Sequence, residues 1–214
     1  MEETKTNSTE LVKTAHVISD VFCPLLTPTY AMIVAMCLTR MSYLPGGIRF
    51  WTTLGIFGIT CMLPLVFILI LLRTGKVSDM SISNPRQRKA PYCASIICYF
   101  AAAAYLAALH APLWLSTFFV GAGLISIISM IITQWWKISA HTAGVAGFAA
   151  IVFWLSRTGL LIYSPLVWTS IAYLLVGLVA WSRLYLNHHT ILQTAAGAAL
   201  AFTVEYVLLC IMTL

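Results

Sequence analysis

The sequence predicts an all-α fold, a polytopic bundle of six or seven transmembrane helices. Of its 214 residues, 61% are hydrophobic and only 8% are charged, whereas average proteins carry about 25% charged residues. The apolar residues form long continuous runs rather than the alternating pattern of a membrane β-barrel. Helices satisfy their own backbone hydrogen bonds in lipid, so they are the expected spanning elements. These observations exclude a water-soluble globule and predict an integral, multi-pass protein, which we expect in a bacterial inner membrane.

Seven apolar runs approach the roughly 20 residues that a helix needs to cross a bilayer. In chain order they cover residues 16–38, 50–72, 92–109, 113–135, 140–156, 160–181 and 191–213. The third and fifth runs are shorter than ideal, so six spans with one re-entrant or interfacial segment is the alternative. We expect a single domain over residues 1–214, because no linker interrupts the runs. Its first 15 residues form a polar segment that lacks the pattern of a cleavable signal.

Three polar segments fall on one face of a seven-span bundle, because two helices separate each segment from the next. They are the loop at residues 74–91, the segment at Lys137 and the segment at Arg183. Together with the N-terminus, this face holds nine of the twelve lysine and arginine residues. The positive-inside rule therefore predicts that this face is cytoplasmic.

The segment after the sixth run places an arginine and two histidines between apolar stretches. Cationic and imidazole side chains at the end of a membrane helix are costly, and they are candidate functional residues by default. Five residues separate Arg183 from His189, and Gln193 follows four positions later. His189 and Gln193 therefore share one helical face if the last helix begins there.

The other two segments add further cations and a helix N-terminus. Arg86 and Arg88 belong to a dense basic loop at residues 84–91. Ser139 stands just before an apolar run as a natural N-cap, and the amides that follow it, close to His141, favour an anion. Arginine forks bind phosphate oxygens in a bidentate manner. Convergence of these residues on one face would suit a phosphoryl group.

The order and spacing of these residues resemble the signature of the type-2 phosphatidic acid phosphatase superfamily. The third motif of that family reads S-R-x5-H-x3-D. Here the stretch from Ser182 to His189 matches it, and Gln193 stands where the family has aspartate. This third motif carries most of the resemblance.

The first two family motifs are matched in part. The second reads P-S-G-H and is met at Ser139 and His141, with Ile138 in place of proline and Ala140 in place of glycine. The first reads K-x6-R-P, and its arginine is served here by one of the two arginines of the basic loop, Arg86 or Arg88. Neither arginine has the family's lysine seven residues before it or a proline directly after it.

The resemblance implies covalent catalysis through a phosphohistidine. His189 would attack phosphorus, and His141 would protonate the leaving oxygen and then activate water. Gln193 would orient His189. The phosphoryl oxygens would be held by Arg183, by Arg86 or Arg88, and by the amides near Ser139 and Ala140. No cofactor is expected, because the sequence offers no carboxylate cluster for a metal and its six cysteines form no C-x-x-C pair.

These expectations describe a membrane phosphatase that hydrolyses a lipid phosphomonoester or an isoprenyl diphosphate. Its partners would be that substrate and the lipid bilayer, with no role for nucleic acid and with the oligomeric state left open. One alternative is a lipid phosphotransferase that uses the same histidine and passes phosphate or a headgroup to an alcohol. The other is a non-catalytic binder or transporter of anionic lipid.

Two further polar residues have more than one interpretation. His188 is expected to be an interfacial neighbour of the nucleophile, because the five-residue spacing of the motif selects His189. Glu205 lies within the last apolar run, where it would either pair with a partner in the bundle or mark a polar pathway. The sequence leaves these two interpretations of Glu205 open.

Overall fold

The computed structural model describes residues 2–80, 82 and 84–212, and over these residues it is all-helical, with no β-strand. The helices are α1 (Glu2–Val21), α2 (Thr27–Leu38), α3 (Gly46–Phe57), α4 (Leu63–Arg73), α5 (Lys89–Ala108), α6 (Leu113–Ile132), α7 (Ala140–Arg157), α8 (Pro165–Tyr185) and α9 (Ile191–Met212). The predicted all-α fold is confirmed. Thr213, the last residue of the predicted seventh span, lies outside the described residues.

Five helices of the described chain are long and apolar enough to cross a membrane. One is the continuous helix Gly46–Arg73, in which α3 and α4 are joined by a π-helical turn at Gly58–Met62. The other four are α5, α6, α8 and α9. These five candidate spans indicate a multi-pass membrane protein. They are fewer than the six or seven spans that the sequence predicts.

The first predicted span is broken in the structure. Residues 22–26 separate α1 from α2, and Pro28 stands in the first turn of α2. Two tyrosines reach carbonyl groups near this break: Tyr30 Oη donates to the Val21 carbonyl over 2.7 Å, and Tyr99 Oη donates to that of Pro24 over 3.4 Å. Irregular backbone inside a membrane protein is tolerated when its polar groups are satisfied by protein in this way.

Helix α7 occupies the centre of the bundle, although it is not among the five candidate spans. It packs against α9, α8, α2 and α6, and every residue from 145 to 152 is buried. Its small residues let the neighbouring helices approach closely. The N-terminus of α7 is consequently held inside the bundle, where Ser139 is fully buried.

The chain connections define two ends of the bundle. At one end, the end of α2 meets the connection between α7 and α8, where the Ile162 amide donates to the Leu38 carbonyl over 2.9 Å. At the other end lie the α4–α5, α6–α7 and α8–α9 connections, because each of these helices runs antiparallel to the next. The three polar segments singled out in the sequence lie in these connections or next to them.

Candidate active site

A cavity of about 450 Å³ lies at the end of the bundle where the three polar segments meet. Five of the expected site residues line it: Arg88, Ala140, His141, Arg183 and His189. Arg88 directly precedes α5, His141 is the second residue of α7, Arg183 is in the last turn of α8, and His189 is in the α8–α9 connection. The structure therefore brings residues from three distant parts of the chain to one cavity.

The N-terminus of α7 forms one wall of this cavity. Ser139 caps the helix, because its Oγ accepts a hydrogen bond from the Thr142 amide over 3.4 Å. Ala140 lines the cavity beside His141. The first amides of a helix have no partner within the helix and carry the positive end of its dipole, so this wall favours an anion.

Two hydrogen bonds join the start of α7 to the start of α9. The Ser139 amide donates to the Gln193 carbonyl over 3.3 Å, and Thr142 Oγ1 donates to the Thr194 carbonyl over 3.0 Å. Gly197 lies at the same contact, where an added Cβ would be 2.6 Å from the Ser139 carbonyl oxygen. The anion-favouring wall and the histidine segment are thereby held together.

Gln193 has two structural roles at the start of α9. It forms a reciprocal capping box with Thr190: the Gln193 amide donates to Thr190 Oγ1 over 3.4 Å, and the Thr190 amide donates to Gln193 Oε1 over 3.2 Å. The same Oε1 lies 3.1 Å from Nδ1 of His189. Because a backbone amide can only donate, the side-chain oxygen of Gln193, and not its nitrogen, must face the Thr190 amide and Nδ1 of His189.

This arrangement determines the tautomer of His189. A glutamine oxygen only accepts, so Nδ1 of His189 carries the proton and Nε2 keeps a free lone pair. His189 is only 8% exposed. The pKa of His189 is lowered to about 4, mainly by burial and also by the cations Lys137, Arg183 and Arg88, while the hydrogen bond to Gln193 opposes the shift. At neutral pH the side chain is therefore an uncharged imidazole with an available nucleophilic nitrogen.

The cations around the cavity leave it with a positive potential. Burial lowers the pKa of Lys137, and Arg88 and Arg183 add to this effect. The pKa of His188 is also lowered, first by burial and then by Arg183 and Lys137. Several cations that depress one another's protonation in this way provide a site for an anionic group.

Arg183 is held by α1, a helix that the sequence motifs do not place at the site. It is only 6% exposed, and its Nη1 donates a hydrogen bond to Ser19 Oγ of α1. Its Nε has no hydrogen-bond partner among the described residues. His16 and Asp20 of α1 line the same cavity. The sequence feature that could have indicated a role for α1 is the presence of polar residues at positions 16, 19 and 20 within the first apolar run.

The two arginines of the basic loop have different positions. Arg88 is half-buried, lines the cavity, and donates from Nε to the Ile82 carbonyl over 2.9 Å. Arg86 is exposed and is not among the residues that line the cavity, and its amide donates to Asn84 Oδ1. The loop folds back on itself, because Gln87 Oε1 accepts from both the amide and the hydroxyl of Ser78. Arg88 is therefore placed to reach a bound anion.

This difference between the arginines gives a testable prediction. We expect Arg88→Ala to lower kcat/KM by about 10²–10³-fold, as for the loss of one donor that stabilises transition-state charge. Arg86→Ala, the matched control in the same loop, should remain within a few-fold of wild type. The measurement is phosphate release from a short-chain lipid phosphate by protein that has inserted normally. Equal, small effects of both substitutions would mean that the loop charges serve topology alone.

Gln193 can be tested through the pH dependence of the reaction. A carboxylate beside an imidazole raises its pKa by about 1–3 units, so we expect Gln193→Asp to raise the pKa of His189 above its value of about 4. A smaller fraction of His189 would then be neutral at pH 5, whereas at pH 8 the imidazole stays neutral. The acid limb of the kcat/KM profile should thus move to higher pH, with activity at pH 8 retained or raised. Gln193→Ala should instead lower the rate by about 10²–10⁴-fold.

Gln134→Asp provides the control for this pH profile. Gln134 is exposed in the α6–α7 connection and does not line the cavity. The same added charge at this position should leave the acid limb where it is in the wild type. If Gln193→Asp also leaves the limb unmoved, His189 is not the group whose protonation limits the reaction.

The cavity is also lined by apolar residues. Leu25 of the α1–α2 turn, Leu65 and Ile68 of α4, Met80 of the loop and Pro91 of α5 line it. In the described part of the chain, no group of three or more histidine, cysteine, aspartate or glutamate side chains is arranged to hold a metal ion. The cavity suits a molecule with an anionic head and an apolar tail.

Compared with known proteins, the chain matches no family model, no curated protein and no solved structure. The resemblance to the phosphatidic acid phosphatase superfamily therefore rests on the motif residues alone.

Proposed function

We propose that this protein is a membrane phosphatase that hydrolyses a lipid phosphomonoester or an isoprenyl diphosphate through a phosphohistidine intermediate. The observation that carries the proposal is the arrangement around His189. Its Nε2 has no hydrogen-bond partner among the described residues, and its cavity also holds Arg183, Arg88 and the N-terminus of α7. Phosphoryl transfer needs mainly positioning and charge stabilisation, which these groups supply.

The first step transfers the phosphoryl group to the enzyme. Nε2 of His189 attacks phosphorus while the bond from phosphorus to the leaving oxygen breaks. The bound phosphate dianion favours the protonated form of His141, which gives its proton to that oxygen. Arg183, Arg88 and the amides at the start of α7 hold the remaining phosphoryl oxygens. Gln193 keeps the proton of His189 on Nδ1 throughout this step.

The second step returns the enzyme to its starting state. His141, now neutral, takes a proton from water, and the resulting hydroxide oxygen attacks phosphorus as the bond to His189 breaks. Inorganic phosphate leaves, His189 is again a neutral imidazole, and His141 is again protonated. His141 thus carries a single proton through both steps, so the cycle is balanced without a metal or another cofactor.

The proposal places seven spans in the membrane. α1 and α2 form one broken span, the helix Gly46–Arg73 forms the second, and α5 to α9 form the other five. This count puts the cavity at one membrane face, which the positive-inside rule makes cytoplasmic. The location we propose is a bacterial inner membrane, since helical bundles rather than barrels are used there. The apolar residues that line the cavity would let the lipid tail remain in the bilayer.

The test is an assay of the purified protein in detergent with a panel of substrates. The panel contains phosphatidate, lysophosphatidate and a prenyl diphosphate. The protein should release free phosphate from at least one of them, and this activity should survive excess EDTA. A phosphodiester lipid is the negative control. Transfer of phosphate to an added alcohol, with no free phosphate, would identify a phosphotransferase. Absence of both product and phosphoenzyme would leave a non-catalytic binder of anionic lipid.

A further inference from the structure

A second, smaller cavity of about 90 Å³ lies within the bundle next to the site cavity. We call it the inner chamber. Residues of α6, α7 and α9 line it, together with residues of α5 and of the α1–α2 turn. Pro24, Leu25, Tyr92, Ser95 and Ala140 line both cavities. The inner chamber and the site cavity therefore share part of their walls.

Glu205 of α9 lines the inner chamber and is fully buried. Neither of its carboxylate oxygens has a hydrogen-bond partner among the described residues. Its carboxyl group packs against Gly121 of α6, where an added Cβ would lie 2.7 Å from the carboxyl carbon. A buried carboxyl group without a protein partner is strongly disfavoured, so its hydrogen bonds must be made to a bound small molecule such as water.

The lining of the inner chamber limits what can satisfy Glu205. None of the residues that line it is a lysine, arginine or histidine, so an ion pair across the chamber is excluded. The other titratable groups that face it are Tyr92 and Tyr99 of α5. Ser129 of α6 is buried there with a hydroxyl that also has no partner among the described residues. Two unsatisfied polar groups around a space large enough for several waters indicate a hydrated chamber.

We propose that Glu205 is a proton-binding site inside a hydrated chamber and that water exchanges its proton with the site cavity past Tyr92 and Ser95. The carboxyl group holds the proton because no cation offsets a negative charge at this depth. Several waters then connect the carboxyl group, which lies against Gly121, with the Ser129 hydroxyl about 12 Å further along α6. Glu205 takes no part in the proposed phosphatase chemistry, so its protonation does not depend on that chemistry.

Infrared difference spectroscopy of the full chain in lipid nanodiscs tests this proposal. At neutral pH the wild type should show the carbonyl stretching band of a protonated carboxyl group, and Glu205→Gln should lack it. If the glutamine variant fails to fold, Glu205→Asp replaces it, and this variant should shift the frequency of the band. Transfer to D₂O should move the wild-type band within minutes. A missing band, or a band that stays unmoved for hours in D₂O, would overturn the proposal.

Two serine variants test the route of exchange. Ser129→Val places a methyl group where water would bridge, so exchange at Glu205 should slow by about tenfold. Ser116→Val is the matched control, because Ser116 is a buried hydroxyl of the same helix that also has no partner among the described residues but lies outside the inner chamber. Equal exchange rates in the two variants would contradict the proposed route. Loss of the band on addition of sodium, but not choline, would identify a cation site instead.

Discussion

His189→Ala should abolish both the phosphoenzyme and turnover, with kcat lower by about 10⁴–10⁶-fold, as for removal of a covalent nucleophile. The reason is the fixed geometry around this side chain. The hydrogen bond between Nδ1 and Gln193 Oε1 leaves Nε2 available, and burial together with the nearby cations keeps the imidazole neutral. The measurement is incorporation of labelled phosphate from the substrate, quenched in alkali, where a phosphohistidine survives.

His188→Ala is the control for this prediction. His188 is the adjacent residue and also lines the cavity, but the Gln193 hydrogen bond belongs to His189. We expect this variant to keep the phosphoenzyme and to lose less than about tenfold in kcat, as for a neighbouring group that takes no part in proton or phosphoryl transfer. If His188→Ala is inactive and His189→Ala retains the label, the assignment of the motif is displaced by one residue.

Gly197→Ala should be the most damaging substitution outside the residues that contact substrate. The added Cβ would lie 2.6 Å from the Ser139 carbonyl oxygen and 2.9 Å from Thr142 Oγ1. The first of these atoms belongs to the backbone that caps α7, so relief requires the starts of α7 and α9 to move apart. We expect a loss of about 1–3 kcal/mol in stability, as for overpacking. Displacement of the site by about 1 Å should also lower kcat/KM by about 10²-fold.

Gly177→Ala is the matched control for the glycine substitution. Gly177 lies within α8, and no atom is within 4 Å of an added Cβ there. Alanine should be neutral or slightly stabilising at this position, because it forms helices better than glycine. Thermal unfolding in one detergent and initial rates would be measured for both variants. Wild-type behaviour of Gly197→Ala would show that the contact between the two helix starts does not hold the site.

Local patterns were enough to predict the fold class and several parts of the candidate site. Long apolar runs predicted helices, and the position of Ser139 before such a run predicted the cap that the structure contains. The four-residue spacing of His189 and Gln193 placed them within reach, and the structure has them hydrogen-bonded. These features depend on contacts between residues three or four positions apart, which sequence spacing brings within reach even though His189 precedes α9.

Other features of the site depend on contacts between distant parts of the chain. The choice between Arg86 and Arg88 depends on how the loop folds over the cavity. The second role of Gln193, in the capping box at the start of α9, was not predicted from the motif spacing.

The sequence by itself determined which residues are costly to place in a membrane, because hydropathy and helical periodicity are local properties of the chain. Only the tertiary structure decided which of them meet. Arg183 is anchored by Ser19, a residue 164 positions away, and Glu205 faces a chamber built by α5, α6, α7 and the α1–α2 turn. Side-chain pairing across a bundle depends on the packing of whole helices, and no local pattern encodes which faces will touch.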